Sequence, residues 1–170
     1  LFLSSQSSSY DLTPSLRIID DPYRQLSFQH VLDIFRAGKG RATSAQRIFL
    51  PGSGKAYWLI FNVYNRNPSK VRWVLDLGTR FSGTLGTTNR IALFTDRNPE
   101  QPLLVDGRLI QNKQAVQGQT KNAVPLTFDP GLNRTVALYI EPTPGLPFTL
   151  SPRLAEQNAF AEDISRYNLR

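Results

Sequence analysis

Two apolar β-type segments, Ala56–Asn65 (AYWLIFNVYN) and Arg72–Leu77 (RWVLDL), each carry one of the chain's only two tryptophans, and they constrain the fold more than any other feature. Between them, Arg66-Asn67-Pro68-Ser69-Lys70 cannot continue a central strand, because proline donates no ladder hydrogen bond and Asn-Pro favours a turn. The pair therefore reads as two neighbouring strands and a turn. In the first, Tyr57, Leu59, Phe61 and Val63 alternate with Trp58, Ile60 and Tyr64, so both faces are bulky. A strand apolar on both sides is sandwiched or covered rather than half-wet.

Further short strands are expected at Leu16–Ile19, Ile48–Leu50, Ile91–Phe94, Val124–Phe128 and Thr135–Ile140. A hairpin is expected where Asp106-Gly107 separates Leu103–Val105 from Arg108–Ile110, and polar loops over Arg80–Asn89 and Gln111–Asn122. Phe28, Val31, Leu32 and Phe35 fall at helical spacing, with Ser27 as N-cap and Gly38 just past the end, so one short early helix interrupts the strands. Ser151-Pro152 opens a second helical pattern, with Leu154, Phe160, Ile164 and Tyr167 as its stripe. The fold class is all-β, a jelly-roll-like sandwich with an early and a C-terminal helix. The expected divisions are a linker or post-signal-peptide segment over 1–15, the sandwich over 16–150, and over 151–170 a helix leading toward a membrane span. The 170 residues, 40% of them hydrophobic, suffice for one domain with a real core. The absence of methionine, even at position 1, suggests a piece of a longer polypeptide.

Composition narrows the chemistry. With no cysteine and one histidine, neither a thiolate nucleophile, a sulfur-based zinc site nor a histidine-rich metal site can be assembled. His30 lies opposite the apolar stripe of its helix and reads as an ordinary surface residue. Gly52-Ser53-Gly54-Lys55 lacks the first glycine and the Ser/Thr of a phosphate loop and precedes a strand, so it carries no phosphate site. Asp76 and Glu141 are the only carboxylate pair that invites a glycosidase test, and Arg72 as a salt-bridge partner is the simpler reading. No catalytic residue, metal or cofactor is expected. The net charge of +7 comes from singly scattered residues rather than a block, which reads as a solubilising surface near a membrane; no nucleic-acid partner is expected. On strand alternation, Trp58, Asn62, Tyr64, Arg72, Asp76, Tyr139 and Glu141 share one sheet face. Aromatic rings with planar polar neighbours suit a sugar or amphipathic small molecule. The competing reading has the early helix covering Trp58.

The order of motifs resembles a known family. A strand ending in Asp20 leads to a Leu26-to-Val31 helix. A glycine-rich loop follows, then a Tyr57-Trp58-Leu59 strand ending in Asn65 and a Trp-x-Leu-x-Leu-Gly strand over Trp73–Gly78. Leu138-Tyr139-Ile140 and the proline-rich stretch to Leu150-Ser151-Pro152 complete it. This is similar to the second type of extracellular sensor domain of bacterial seven-transmembrane receptors with diverse intracellular signalling modules. The resemblance implies a periplasmic jelly-roll akin to carbohydrate-binding modules, tethered to the membrane through segments outside this sequence, with a carbohydrate or other small-molecule ligand. The implied function is a ligand-sensing domain that is not itself an enzyme and that passes its binding state to a cytoplasmic output domain. The alternative is a carbohydrate-binding module of a secreted enzyme. A ligand signals only by differential affinity for two arrangements of the domain, or of two copies, so a homodimer is among the expected partners.

Overall fold

The computed structural model describes residues 1–44, 46–69, 71–78, 88–106 and 123–168. In chain order its strands are β1 (Phe2–Leu3), β2 (Ser9–Asp11), β3 (Arg17–Asp21), β4 (Ile48–Leu50), β5 (Ala56–Asn65), β6 (Arg72–Asp76), β7 (Thr88–Thr95), β8 (Leu104–Asp106), β9 (Ala123–Thr127), β10 (Asn133–Pro142), β11 (Phe148–Leu150) and β12 (Arg153–Glu156). Helix α1 (Phe28–Arg36) follows β3, and α2 (Gln157–Asn168) follows β12. The expected strand over 108–110, the loop over 111–122 and positions 80–87 of the loop over 80–89 lie outside the described residues, whereas Thr88 and Asn89 begin β7 rather than ending a loop.

The apolar alternation of β5 dictates the layout. It lies within a six-stranded sheet, pairing antiparallel with β10 on one side. On its other side it pairs antiparallel with β3 along its first half and parallel with β1 at its end. Strands β7 and β8 continue the sheet beyond β10. A second, four-stranded sheet has the order β2-β12-β6-β9, and β4 and β11 form a separate ribbon. Tyr57, Leu59, Phe61 and Val63 of β5 meet Trp73 and Leu75 of β6 in one core between the layers. The chain is thus an all-β sandwich with an early and a C-terminal helix, as the alternation predicts.

The two tryptophan strands are not neighbours in one sheet, as the sequence reading has them; they face each other across the core. The reason lies in the turn. The Asn65 side chain, wholly buried, donates to the Phe128 carbonyl (2.8 Å) and accepts from the Asn67 amide (3.0 Å). Arg66 N–H meanwhile bonds Leu3 of β1 (2.8 Å), so the position beside β5 is taken and the chain crosses to the other layer.

Two other expectations are corrected. Residues 1–15 are not a linker: Leu3 and Leu12 are fully buried in the core, and β2 is the edge partner of β12. Nor does the second helix begin at Ser151-Pro152. The Ser151 amide bonds Leu77 (3.1 Å), and Arg153–Glu156 pair with both β2 and β6 before α2 starts at Gln157. Leu154 consequently faces the main core, whereas Ala155 turns outward to Val74, Phe160 and Ile164.

Helix α1 closes the outer face of the six-stranded sheet. Ser27 caps it through a reciprocal box, its Oγ accepting from His30 N–H and its own N–H donating to His30 Nδ1. Phe28, Val31 and Leu32 are buried against Trp58, Ile60, Ala137 and Tyr139, each apolar side chain contributing roughly 2 kcal/mol relative to exposure.

Candidate functional site

Strand register sets the floor of the site. Trp58 of β5 stands directly opposite Tyr139 of β10, which stands opposite Ala92 of β7; one step along, Glu141 stands opposite Arg90. Small Ala92 leaves room for Phe94, two residues on, to lean toward the tryptophan. Trp58 and Tyr139 meet edge-on at 5.1 Å, Trp58 and Phe94 lie 5.4 Å apart, and Phe28 of α1 stacks on Phe94 at 5.6 Å. A cavity of about 480 Å3 opens on this cluster, bounded by Arg24 and Leu26 on one side and by Arg90, Pro99 and Glu100 on the other. Ser27 and Gln29 at the start of α1 complete its rim.

A buried carboxylate organises the wall between β3 and α1. Asp21 is 1% exposed. Its Oδ1 accepts from Gln25 N–H (2.9 Å), and its Oδ2 accepts from Leu26 N–H (3.1 Å) and from Trp58 Nε1 (3.4 Å). One side chain thereby fixes both the connection carrying Arg24 and the orientation of the indole. Arg24 has φ +56°, the left-handed region that costs a non-glycine residue energy. That turn sends its guanidinium across to Glu141 (3.1 Å), whose other oxygen accepts from the Tyr139 hydroxyl (3.2 Å). Arg90 lies over the Tyr139 ring, 5.7 Å from its centroid. Burial, then the Glu141 carboxylate beside it, pushes the Tyr139 hydroxyl well above its ordinary pKa, so Tyr139 is a neutral hydrogen-bonding group rather than a base.

The structure brings together three of the seven residues expected to share a face: Trp58, Tyr139 and Glu141. Helix α1 covers Trp58, which is 2% exposed, so its indole is wall rather than platform. Asn62 and Tyr64 keep the same face but lie about 13 and 20 Å along β5 from Trp58 at ~3.3 Å per residue. There Asn62 accepts from Thr135 Oγ1 (2.7 Å), and Tyr64 packs edge-on against Phe2. Arg72 and Asp76 belong to the other sheet, because β6 crosses the core. Asp76, 2% exposed, pairs there with Arg153 (3.0 Å) rather than with Glu141's surroundings. Sequence reasoning missed Asp21, Arg24, Phe28, Arg90, Phe94 and Glu100. The adjacent acids Asp20-Asp21 before a proline were the one available signal, since one of them had to point inward.

Among the described residues no three His, Cys, Asp or Glu side chains converge as a metal site. None of the described helices is long and apolar enough to cross a membrane. What the arrangement can do is hold a small molecule, with ring faces against aromatic walls and polar edges against guanidinium, carboxylate and phenol groups.

The fold is an all-β sandwich whose six-stranded sheet is capped by one early helix, with an aromatic cavity beside that helix. Residues 13–152 match the family model described as 7TMR-DISM extracellular 2, and the chain belongs to that family. It is accordingly an extracytoplasmic, periplasmic domain of membrane receptors. No curated protein matches the chain.

Proposed function

We propose that the domain senses a small extracytoplasmic ligand of the carbohydrate class in the cavity above Tyr139, and relays its occupancy through α2 to the membrane-bound part of the receptor. The observation that carries this reading is an aromatic cavity lined by Arg24 and Tyr139, both of which bond the Glu141 carboxylate behind them, Arg24 through its guanidinium and Tyr139 through its hydroxyl. Sugar hydroxyls replace such bonds one for one, and the apolar ring faces of a pyranose pack against Phe94 and Tyr139. A ligand that inserts between Arg24 and Glu141 favours the arrangement in which the β3–α1 connection has shifted, which is the differential affinity signalling requires. The cavity lies on the outer face of one sheet and α2 on the outer face of the other, so the relay runs through the shared core.

Thermal unfolding of the native domain against a panel of neutral and acidic oligosaccharides tests this. At a hundredfold excess over Kd a bound ligand adds about 2.7 kcal/mol, which raises the midpoint of a chain of this size by roughly 5–10 °C. R24A and E141Q are expected to abolish that rise while leaving the ligand-free midpoint within a few degrees, because the Arg24 end of the pair is half exposed, which limits its worth to about 1 kcal/mol, and a glutamine at 141 still accepts from the Tyr139 hydroxyl. A panel in which no oligosaccharide moves the midpoint refutes the carbohydrate reading.

A further inference from the structure

Among the described residues, helix α2 meets the sandwich through an apolar contact and a shared cation. Phe160 and Ile164 rest on Val74 and Ala155. Beside them Arg153 of β12 is clasped by two carboxylates, its Nε on Asp76 Oδ2 (3.0 Å) and its Nη1 on Asp163 Oδ2 of α2 (2.8 Å). The two acids differ in setting. The Asp76 side chain is 3% exposed and belongs to the sheet, where it also accepts from Gly78 N–H (3.0 Å); that of Asp163 is 41% exposed and belongs to the helix. Burial disfavours charge on Arg153, but the two carboxylates more than offset that and hold its guanidinium above its usual pKa.

We propose that the Arg153–Asp163 contact is a release catch for α2, which docks and undocks as a unit while the Arg153–Asp76 pair stays closed. The asymmetry is what makes release feasible. If α2 lifts away, Asp163 passes into water, where a carboxylate is well solvated, and Arg153 keeps its buried partner, so no buried charge is stranded. The catch also sits where movement is transmitted: β12 pairs with β6 and β2 at once, so a change in that sheet shifts the Arg153 side chain relative to α2. This inference rests on the relay half of the proposed function and supplies its regulation.

Amide hydrogen exchange followed by mass spectrometry on the whole chain tests the catch without any ligand, so a failed oligosaccharide screen leaves it standing. D163N is expected to speed exchange across 157–168 by about fivefold, the upper range for a partly exposed pair. It should leave β6 and β12 protected and the unfolding midpoint nearly unchanged. R153Q disturbs both pairs and is expected to accelerate exchange in β6 and β12 as well, with a lowered midpoint. F160A, which removes the apolar half of the docking, sets the scale for a released helix. Exchange over 157–168 in D163N equal to that of the native chain overturns the proposal. So does a D163N profile that matches R153Q throughout, because the contact would then be part of the sandwich's general stability and not a separable catch.

Discussion

Replacing Asp21 by asparagine removes one charge and changes almost no volume, so it isolates the buried carboxylate that fixes the cavity wall. Its two oxygens accept three N–H groups: Gln25 and Leu26 from the backbone and Trp58 from the indole. An asparagine has a single acceptor oxygen. Pointed at Leu26 and Trp58, it presents its NH2 to the Gln25 amide; pointed at Gln25, it leaves the other two donors facing NH2. At least one of the three donors, part-buried at Gln25 and Leu26 and buried at Trp58, is therefore stranded, costing about 1–3 kcal/mol, and the remaining bonds lose their charge assistance. A total of about 2–4 kcal/mol follows, or roughly 4–16 °C in the unfolding midpoint at this chain length. Asp20, one residue earlier, supplies the control: its carboxylate is 43% exposed and pairs with Arg41 at 3.3 Å, so D20N is worth about 1 kcal/mol or less. Circular-dichroism melts of D21N, D20N and the native chain decide the matter, with amide exchange at Gln25 and Leu26 as the local readout. Equal midpoints for D21N and D20N, or unchanged exchange at both amides, would refute the account of Asp21 as the organiser of that wall.

Two other outcomes are expected. Tyr139 holds its proton more tightly in the folded protein than in the unfolded chain, whose tyrosines ionise near pH 10; its contribution is present below that pH and is lost as pH rises above it. Y139F should therefore lose less stability than the native chain in melts between pH 9 and pH 12, and parallel losses would contradict the assignment. Deleting residues 1–11 removes Leu3 from the core and strips β2 from β12, so the truncated chain should lose its cooperative melt, whereas a disordered leader would leave the midpoint unchanged.

What the sequence made legible was local. The two-sided bulk of Tyr57–Tyr64 announced a covered strand, and the spacing of Phe28, Val31, Leu32 and Phe35 with Ser27 before it marked α1 to within a residue or two. The layer in which each strand lies is a different kind of information. Arg66–Lys70 states that the chain turns, but whether it turns within a sheet or across the core depends on β1 already occupying the position beside β5, which is a contact some sixty residues away in the chain. Arg153-Leu154-Ala155-Glu156 has the composition of a helix and follows Ser-Pro, yet flanking strands recruit it, tertiary pairing overriding a weak local preference. The cavity was half legible for the same reason. Trp58, Tyr139 and Glu141 follow from alternation on paired strands, whereas Arg24, Phe28 and Glu100 reach it from a turn, a helix and a loop whose approach no periodicity records.

The central place of β12 has a practical consequence for anyone exchanging sensory modules between receptors. A graft cut to the family-matched span, 13–152, carries β6 and β9 but discards both β12 and β2. It would expose the backbone of β6 along a newly made edge and open the core where Leu154 and Leu3 had closed it. Such an edge invites association with other chains. Junctions placed before Phe2 and after α2 keep the sandwich whole and carry the helix along with the sheet on which it rests.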